Sequence, residues 1–337
     1  VLALDIGVSL GGAELHKPLL LWINDGLMGI FFFVVGLEIK RELLIGELAR
    51  PRRAALALAG ALGGMLVPAI LYRLVADHPE YRGGWGIPMA TDIAFALGLL
   101  SLLGKRAPMG LKIFLTALAI VDDIGAVLVI AIFYTDTIAL MSLIAGLMVF
   151  AIAVFANRAG VRNHLFYFLL GTLVWLAFLK SGVHATIAAL LMAFTIPARP
   201  KIERAELEES FDHALGELRE GGEPDRDLLD SLGRSLAHAR APLQELEHLL
   251  HPIVAVLILP IFALANAGVA LDVDFAAALA HPVAMGIVIG LCLGKPVGVV
   301  GAAFVAVKLR LAELPSGVGW RDVIGAGCLA GVGFTMA

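Results

Sequence analysis

Four ionisable side chains lie within long apolar stretches of this sequence and are its strongest candidates for chemistry. Asp122 and Asp123 are adjacent in AIVDDIGAVLVI, Asp92 follows Thr91 in GIPMATDIAFALG, and Lys295 lies in GLCLGKPVGVV. An ionisable group at membrane depth costs about 2.5–3.5 kcal/mol on insertion scales, so such residues are functional candidates. Three acids and one base leave excess negative charge, which predicts a site for a positively charged species.

The adjacent acids suit a cation that takes oxygen ligands, or protons. Neighbouring helical positions point about 100° apart, so both carboxylates can reach one cavity only if it covers that arc. Protons and a metal ion would compete for the same oxygens, which is the physical basis of an exchanger. A structural ion pair with Lys295 explains one acid of the pair, but one base cannot neutralise both.

The composition predicts a helical membrane protein. Hydrophobic residues make up 60 % of the 337 positions, charged residues 16 %, and the mean hydropathy is +0.91. Soluble proteins average about 25 % charged residues. Repeated apolar stretches of about 18 residues or more indicate membrane-spanning helices, because a helix satisfies its own backbone in lipid. The predicted fold class is therefore all-α and polytopic.

Ten hydrophobic segments are predicted, and the loops between them alternate in charge. The segments are 19–36, 54–75, 86–103, 109–134, 137–157, 163–179, 183–197, 251–270, 282–307 and 321–337. Every second connection is rich in Lys and Arg. By the positive-inside rule the basic connections are cytoplasmic, which puts the N-terminal segment outside.

This pattern divides the chain into four parts. Residues 1–18 form an external segment, for which a small β-hairpin and a disordered tail remain open. Residues 19–197 hold seven spans, and 198–250 form a hydrophilic cytoplasmic loop with amphipathic helices. Residues 251–337 hold three spans, and because GVGFTMA ends inside an apolar stretch, a final helix is expected to be missing.

Two of the segments carry residues that interrupt helices. Pro88, Thr91 and Asp92 interrupt the third segment, and Thr and Asp favour caps and turns over helix interiors. The tenth segment is rich in glycine, with Gly327, Gly331 and Gly333 at the expected break. One interrupted segment in each half of the chain is typical of inverted-repeat transporters, in which two discontinuous helices cross at the midplane.

Seven sequence blocks, in order, resemble the bacterial sodium/proton antiporters called NhaA. They are GLEIKREL, ATDIAFALG, LKIFLTALAIVDDIGA, LKSGVHATIA, LEHLLHPIVAVLILPIFALANAG, LGKPVG and GVGFTM. The resemblance covers most of the chain from about residue 19 onward. It implies twelve spans in the full protein, of which the ten here resemble the second to the eleventh.

The resemblance also implies an activity and a set of transport residues. It implies electrogenic export of one sodium or lithium ion in exchange for two protons by alternating access, without a cofactor or an enzymatic reaction. Asp123 resembles the main cation ligand, Asp122 a second ligand and proton carrier, and Lys295 the partner of Asp122. Thr91 and Asp92 resemble residues at the helix crossing.

A second group of charged residues resembles the family's pH-sensing entrance, which raises activity at alkaline pH. Its members are Glu38, Arg41, Glu42, Glu247, His248 and His251. Histidines titrate near neutral pH, although ordinary positive-inside loop charge explains part of the group equally well. The resemblance further implies the bacterial inner membrane and a homodimer formed through the N-terminal segment, with no nucleic-acid partner.

Other classes of membrane protein share some of these features with an exchanger. An intramembrane aspartyl protease also buries two acids, but it needs them on different helices, one in a Gly-x-Gly-Asp context that is absent here. A cation channel, or a related exchanger with another substrate, is left open by the residues themselves.

Overall fold

A computed structural model of the chain is predominantly helical. It describes residues 4–10, 13–135, 138–200, 207–209, 211–212, 215–216, 233, 241–266 and 275–333. Most of the predicted hydrophilic loop, 198–250, and its amphipathic helices lie outside the described residues, as does the end of the tenth predicted segment.

The chain begins with two short antiparallel strands, β1 (Asp5–Leu10) and β2 (Ala13–Pro18). Polar contacts fasten this hairpin to the first long helix. The Leu19 amide donates to Leu4 O at 2.8 Å, and the Trp22 indole donates to Ile6 O at 3.0 Å. Lys17 Nζ lies 2.9 Å from Asp25 Oδ2. The hairpin is therefore held against the helical bundle.

Seven described helices are long and apolar enough to cross a membrane. They are α1 (Leu19–Leu44), α2 (Pro51–Val75), α4 (Met109–Phe133), α5 (Leu140–Arg158), α6 (His164–Ser181), α8 (Pro242–Asn266) and α10 (Pro282–Lys308). Large apolar side chains cover their outer surface, as expected for contact with lipid. Met141 and Leu264, for example, are each 82 % exposed.

The other three predicted spans are represented by shorter helices. These are α3 (Ile93–Leu102), α7 (Ala185–Thr195) and α11 (Trp320–Ala330); a further short helix, α9 (Phe275–Ala280), precedes α10. The third predicted segment is interrupted. A 3₁₀ segment, Pro79–Met89, is followed by three non-helical residues, and α3 then begins at Ile93.

Helix α4, which carries the adjacent acids, lies between two apolar cores. Leu115 and Leu118 pack in a core with α2, α10 and α11. Ile120 and Val127 pack in another with α1 and α8. A third core joins α1 to α5, α6 and α7. Because its two faces belong to different cores, α4 places its polar residues between two groups of helices.

Helices α2 and α10 approach each other very closely at a pair of glycines. A Cβ added at Gly63 would lie 2.1 Å from Gly298 O, and one added at Gly298 would lie 2.1 Å from Gly63 O. No side chain fits at either position, so the two backbones touch there. This contact helps to fix α10, which carries Lys295.

Candidate functional site

The four ionisable residues singled out from the sequence are all buried. Asp122 and Lys295 are 1 % exposed, and Asp92 and Asp123 are 2 % exposed. They come from three parts of the chain: α4, α10 and the non-helical stretch 90–92. Charged groups are rarely buried without partners, because removing a charge from water is costly. The contacts of each group therefore define what the site can do.

Lys295 forms a buried ion pair with Asp122. Its Nζ lies 2.6 Å from Asp122 Oδ2, and it also donates a hydrogen bond to Met89 O. A π-helical turn, Gly290–Gly294, immediately precedes the lysine. A Cβ at Gly294 would lie 2.9 Å from Pro68 Cα on α2, so the glycine permits the close packing that holds this turn in place.

Thr91 and Asp92 connect the interrupted third segment to the end of α11. The Thr91 hydroxyl lies within hydrogen-bonding distance of both Asp122 Oδ2 and Ala330 O, the latter at 3.0 Å. The Asp92 amide donates to Val332 O at 2.8 Å. The Asp92 carboxylate accepts from the amide of Phe95 at 3.0 Å, an interaction that caps the first turn of α3. Backbone groups that have no partner within a helix, in the 90–92 stretch and at the end of α11, are therefore hydrogen-bonded across this junction.

Asp122 and Asp123 each retain unused bonding capacity. In both residues Oδ1 is buried and has no hydrogen-bond partner. The charges of Asp122, Glu38, Lys295 and Asp92 all act on Asp123. In the part of the chain that the structure describes, the buried charged side chains are three carboxylates and one ammonium. The arrangement can supply oxygen ligands to a monovalent cation or bind protons at the same atoms.

Five of the six residues of the second predicted group meet between α1 and α8. Arg41 Nε lies 3.4 Å from Glu247 Oε2, and His251 Nδ1 lies 3.5 Å from Glu38 Oε1. Arg41 Nε has no hydrogen-bond partner of good geometry, so its contact with Glu247 is ionic. Arg41 Nη2 also lies 3.4 Å from Glu42 Oε1.

His248 is the member of this group that stands apart. It lies on the exposed side of α8, whereas Glu247 is half-buried. The charge of Glu38 acts on both Glu247 and Asp123, so this group is coupled electrostatically to the buried acids.

The glycines of the tenth segment differ from the prediction at one position. Gly327 was expected at a helix break, but it lies inside α11. Its lack of a side chain serves packing instead, since a Cβ there would lie 3.3 Å from Pro296 Cα of α10. Helix α11 ends at Ala330, so Gly331 and Gly333 follow its end.

Sequence reasoning did not predict the observed contacts of three residues that hold the surroundings of the site. Lys40 donates to Phe194 O at 2.7 Å and to Ile196 O at 2.5 Å, at the end of α7. Tyr72 and Tyr134 bind the backbone of the 3₁₀ segment that leads to the site. The sequence feature that could have identified the tyrosines is their rarity, since the chain has only four, and Tyr72 lies within an apolar span.

Comparisons with known proteins match the whole chain to one family and to relatives within it. Residues 1–337 match the family described as Na⁺/H⁺ antiporter 1. A Na⁺/H⁺ antiporter NhaA of Oleidesulfovibrio alaskensis is 52 % identical over 98 % of this chain and 76 % of its own length. The Na⁺/H⁺ antiporter NhaA 1 of Saccharophagus degradans is 46 % identical over 100 % of this chain and 75 % of its own length. That of Pseudomonas putida KT2440 is also 46 % identical, over 100 % and 76 %.

Proposed function

We propose that this chain, which belongs to the Na⁺/H⁺ antiporter family, binds its transported cation at Asp123 with Asp122 as the second carboxylate. The chain is a multi-pass membrane protein and a secondary transporter that exchanges sodium for protons, not an enzyme. Family membership decides against the channel that the residues alone left open. The observation that carries the site assignment is the pair of buried, unpartnered carboxylate oxygens on adjacent residues of α4.

Exchange follows from competition for the same atoms. A proton on Asp123 removes the charge that attracts a cation, and a bound cation excludes the proton. Lys295 already shares Asp122 Oδ2 with Thr91, so a cation that draws Asp122 toward itself weakens the ion pair with the lysine. Two protons per sodium or lithium ion, and hence electrogenic exchange, require either both carboxylates or one carboxylate and the lysine as carriers. No resident cofactor takes part in this scheme.

Alternating access is proposed to use two discontinuous helices of an inverted repeat, within ten spans in this chain and twelve in the full protein. The supporting contacts are those of Thr91 with Ala330 O and of Asp92 with Val332 O. Together they join the interrupted third segment to the end of α11. A small displacement at this crossing alters which end of the site is open without rebuilding either helix.

The Glu38–Glu247 group is proposed to raise activity at alkaline pH. In this group the His251 imidazole faces the Glu38 carboxylate. The Arg41 guanidinium faces the carboxylates of Glu247 and Glu42. Loss of the proton from the His251 imidazole makes the space between α1 and α8 more negative. Because Glu38 also acts on Asp123, that change reaches the transport site and favours cation entry.

The membrane location and the assembly are proposed from the same reasoning. Basic connections on one side favour the bacterial inner membrane with the Glu38–Glu247 group on the cytoplasmic face. The hairpin, held to α1 by Lys17 and Trp22, offers strand edges to a second copy and supports a homodimer. Residues 1–18, 19–197, 198–250 and 251–337 remain the proposed divisions of the chain.

Calorimetry on purified protein tests the site assignment. Lithium or sodium should bind to the protein and thereby displace protons from it. Asp123→Asn should abolish both the heat of cation binding and the proton release. Asp25→Asn is a matched control, because Asp25 is also an aspartate on a spanning helix but pairs with Lys17 at the hairpin. Cation binding with unchanged proton release in Asp123→Asn would overturn the assignment of Asp123.

A further inference from the structure

The connection between α2 and the transport site is an unusually long 3₁₀ segment. Pro79–Met89 spans 11 residues, whereas 3₁₀ runs longer than three or four residues are uncommon because their hydrogen bonds are poorly aligned. Such stretches often mark hinges. The segment ends at Met89, whose carbonyl accepts from Lys295, and Thr91 follows two residues later. Movement of the segment therefore reaches the site directly.

Two tyrosine hydroxyls from neighbouring helices hold this segment in place. Tyr134, which follows the last residue of α4, donates to Gly83 O at 2.5 Å and accepts from the Gly86 amide at 3.1 Å. Tyr72 of α2 donates to Tyr81 O at 2.9 Å. The Tyr134 hydroxyl thus bridges two backbone groups three residues apart within the segment.

Ring contacts and close packing reinforce these hydrogen bonds. Trp85 packs edge-on against Phe133 with ring centroids 5.1 Å apart, and Tyr81 packs against His281 at 5.0 Å. A Cβ at Gly86 would lie 2.7 Å from the Tyr134 hydroxyl oxygen. The segment therefore fits against the ends of three helices, α2, α4 and α10.

The segment lies at the opposite end of the bundle from the Glu38–Glu247 group. The 45–50 connection joins the end of α1 that carries Glu38 to the start of α2. Helix α2 then runs 25 residues, about 37 Å, before the 3₁₀ segment begins. Tyr134, just past the end of α4, lies eleven positions beyond Asp123, about 17 Å along the helix axis. The site thus lies between the two ends.

We propose that segment 79–89 is the gate that closes the transport site on the side away from the Glu38–Glu247 group, and that Tyr134 is the positioning residue that latches it. The proposal rests on the proposed transport site and alternating access. Opening toward this side breaks both Tyr134 hydrogen bonds and frees the segment to swing about its junctions with α2 and with residues 90–92.

Thiol labelling in cells tests the latch. Ala90 directly follows the segment and is 2 % exposed. The labelled variant carries Ala90→Cys in a Cys292→Ala/Cys328→Ala background. A membrane-impermeant maleimide is added outside. Tyr134→Phe removes both hydrogen bonds and should speed labelling about tenfold. Tyr167→Phe is the matched control, because the Tyr167 hydroxyl donates to Val161 O at 2.9 Å and its ring lies in the separate core formed by α1, α5, α6 and α7.

Equal labelling rates in Tyr134→Phe and Tyr167→Phe would overturn the latch. If Tyr134→Phe does not yield folded protein by size-exclusion chromatography, Gly86→Ala tests the same hydrogen bonds, since its methyl group displaces the Tyr134 hydroxyl. Faster labelling supports the latch, and an unchanged rate refutes it. Labelling requires no cation at Asp123, so this result is independent of the calorimetric test of the site.

Discussion

Removing one partner of the Lys295–Asp122 ion pair should destabilise the protein far more than removing both. Both side chains are 1 % exposed and their charged atoms are 2.6 Å apart. Breaking a buried pair leaves an uncompensated charge and costs about 3–5 kcal/mol, whereas replacing both partners by neutral groups is often close to neutral. The double variant Asp122→Asn/Lys295→Met should therefore be more stable than the sum of its single variants predicts.

The expected size follows from the length of the chain. A 337-residue protein unfolds with an entropy of about 0.7 kcal/mol/K, so a loss of about 3–5 kcal/mol lowers Tm by about 4–7 °C. Each single variant should show a loss in this range, and the double variant a much smaller loss. Thermal unfolding in detergent, followed by tryptophan fluorescence, measures all four proteins of the cycle.

A second cycle on Lys17 and Asp25 serves as the control. These residues form a pair of similar length, 2.9 Å, but both side chains are 25 % exposed. Solvent screening limits such a pair to less than about 1 kcal/mol, or about 1.5 °C. If the Lys295–Asp122 effects simply add, with a coupling below about 0.5 kcal/mol, the buried pair contributes no coupling and the electrostatic account of the site is refuted.

Three further predictions concern competition, regulation and packing. Lowering the pH should raise the apparent KM for sodium, because protons occupy the carboxylates that bind it; a KM that does not change with pH would contradict competition. Glu247→Gln should shift the pH–activity profile to lower pH, because the loss of a negative charge weakens proton binding by neighbouring groups. Glu245→Gln is the control, because Glu245 is exposed. Identical profiles for the two variants would remove the regulatory role. Gly298→Ala should lower the free energy of unfolding by about 1–3 kcal/mol, because its methyl group would meet the backbone of α2 at 2.1 Å. Gly301→Ala places its methyl group in open space and should unfold at the wild-type temperature or above. Equal Tm values for the two variants would contradict the close helix contact.

Burial of the four ionisable residues could be predicted from the sequence because composition and membrane energetics constrain it strongly. An aspartate in the middle of an apolar span has few ways to reach water, so Asp122 and Asp123 were identifiable by position alone. The interruption near Thr91 was equally visible, since Pro, Thr and Asp disfavour a continuous helix. These features depend on local sequence.

Long-range pairing and helix ends were harder to predict. Lys295 and Asp122 are 173 positions apart, and only the family resemblance, not any periodicity in the sequence, indicates which acid the lysine meets. Gly327 was assigned to a break because a glycine-rich helix is weak, but packing against α10 stabilises the helix through that position. Tyr134 carries no motif. Its role depends on how the end of α4 meets the 3₁₀ segment.

Sodium-dependent dissipation of a pH gradient in proteoliposomes tests the central claim most directly. Vesicles that hold wild-type protein and an imposed gradient should lose that gradient when sodium or lithium is added, and Asp25→Asn should behave in the same way. Asp123→Asn should leave the gradient intact while inserting to the same level. Gradient loss at the wild-type rate in Asp123→Asn would contradict the assignment of this buried carboxylate as the shared site of sodium and protons.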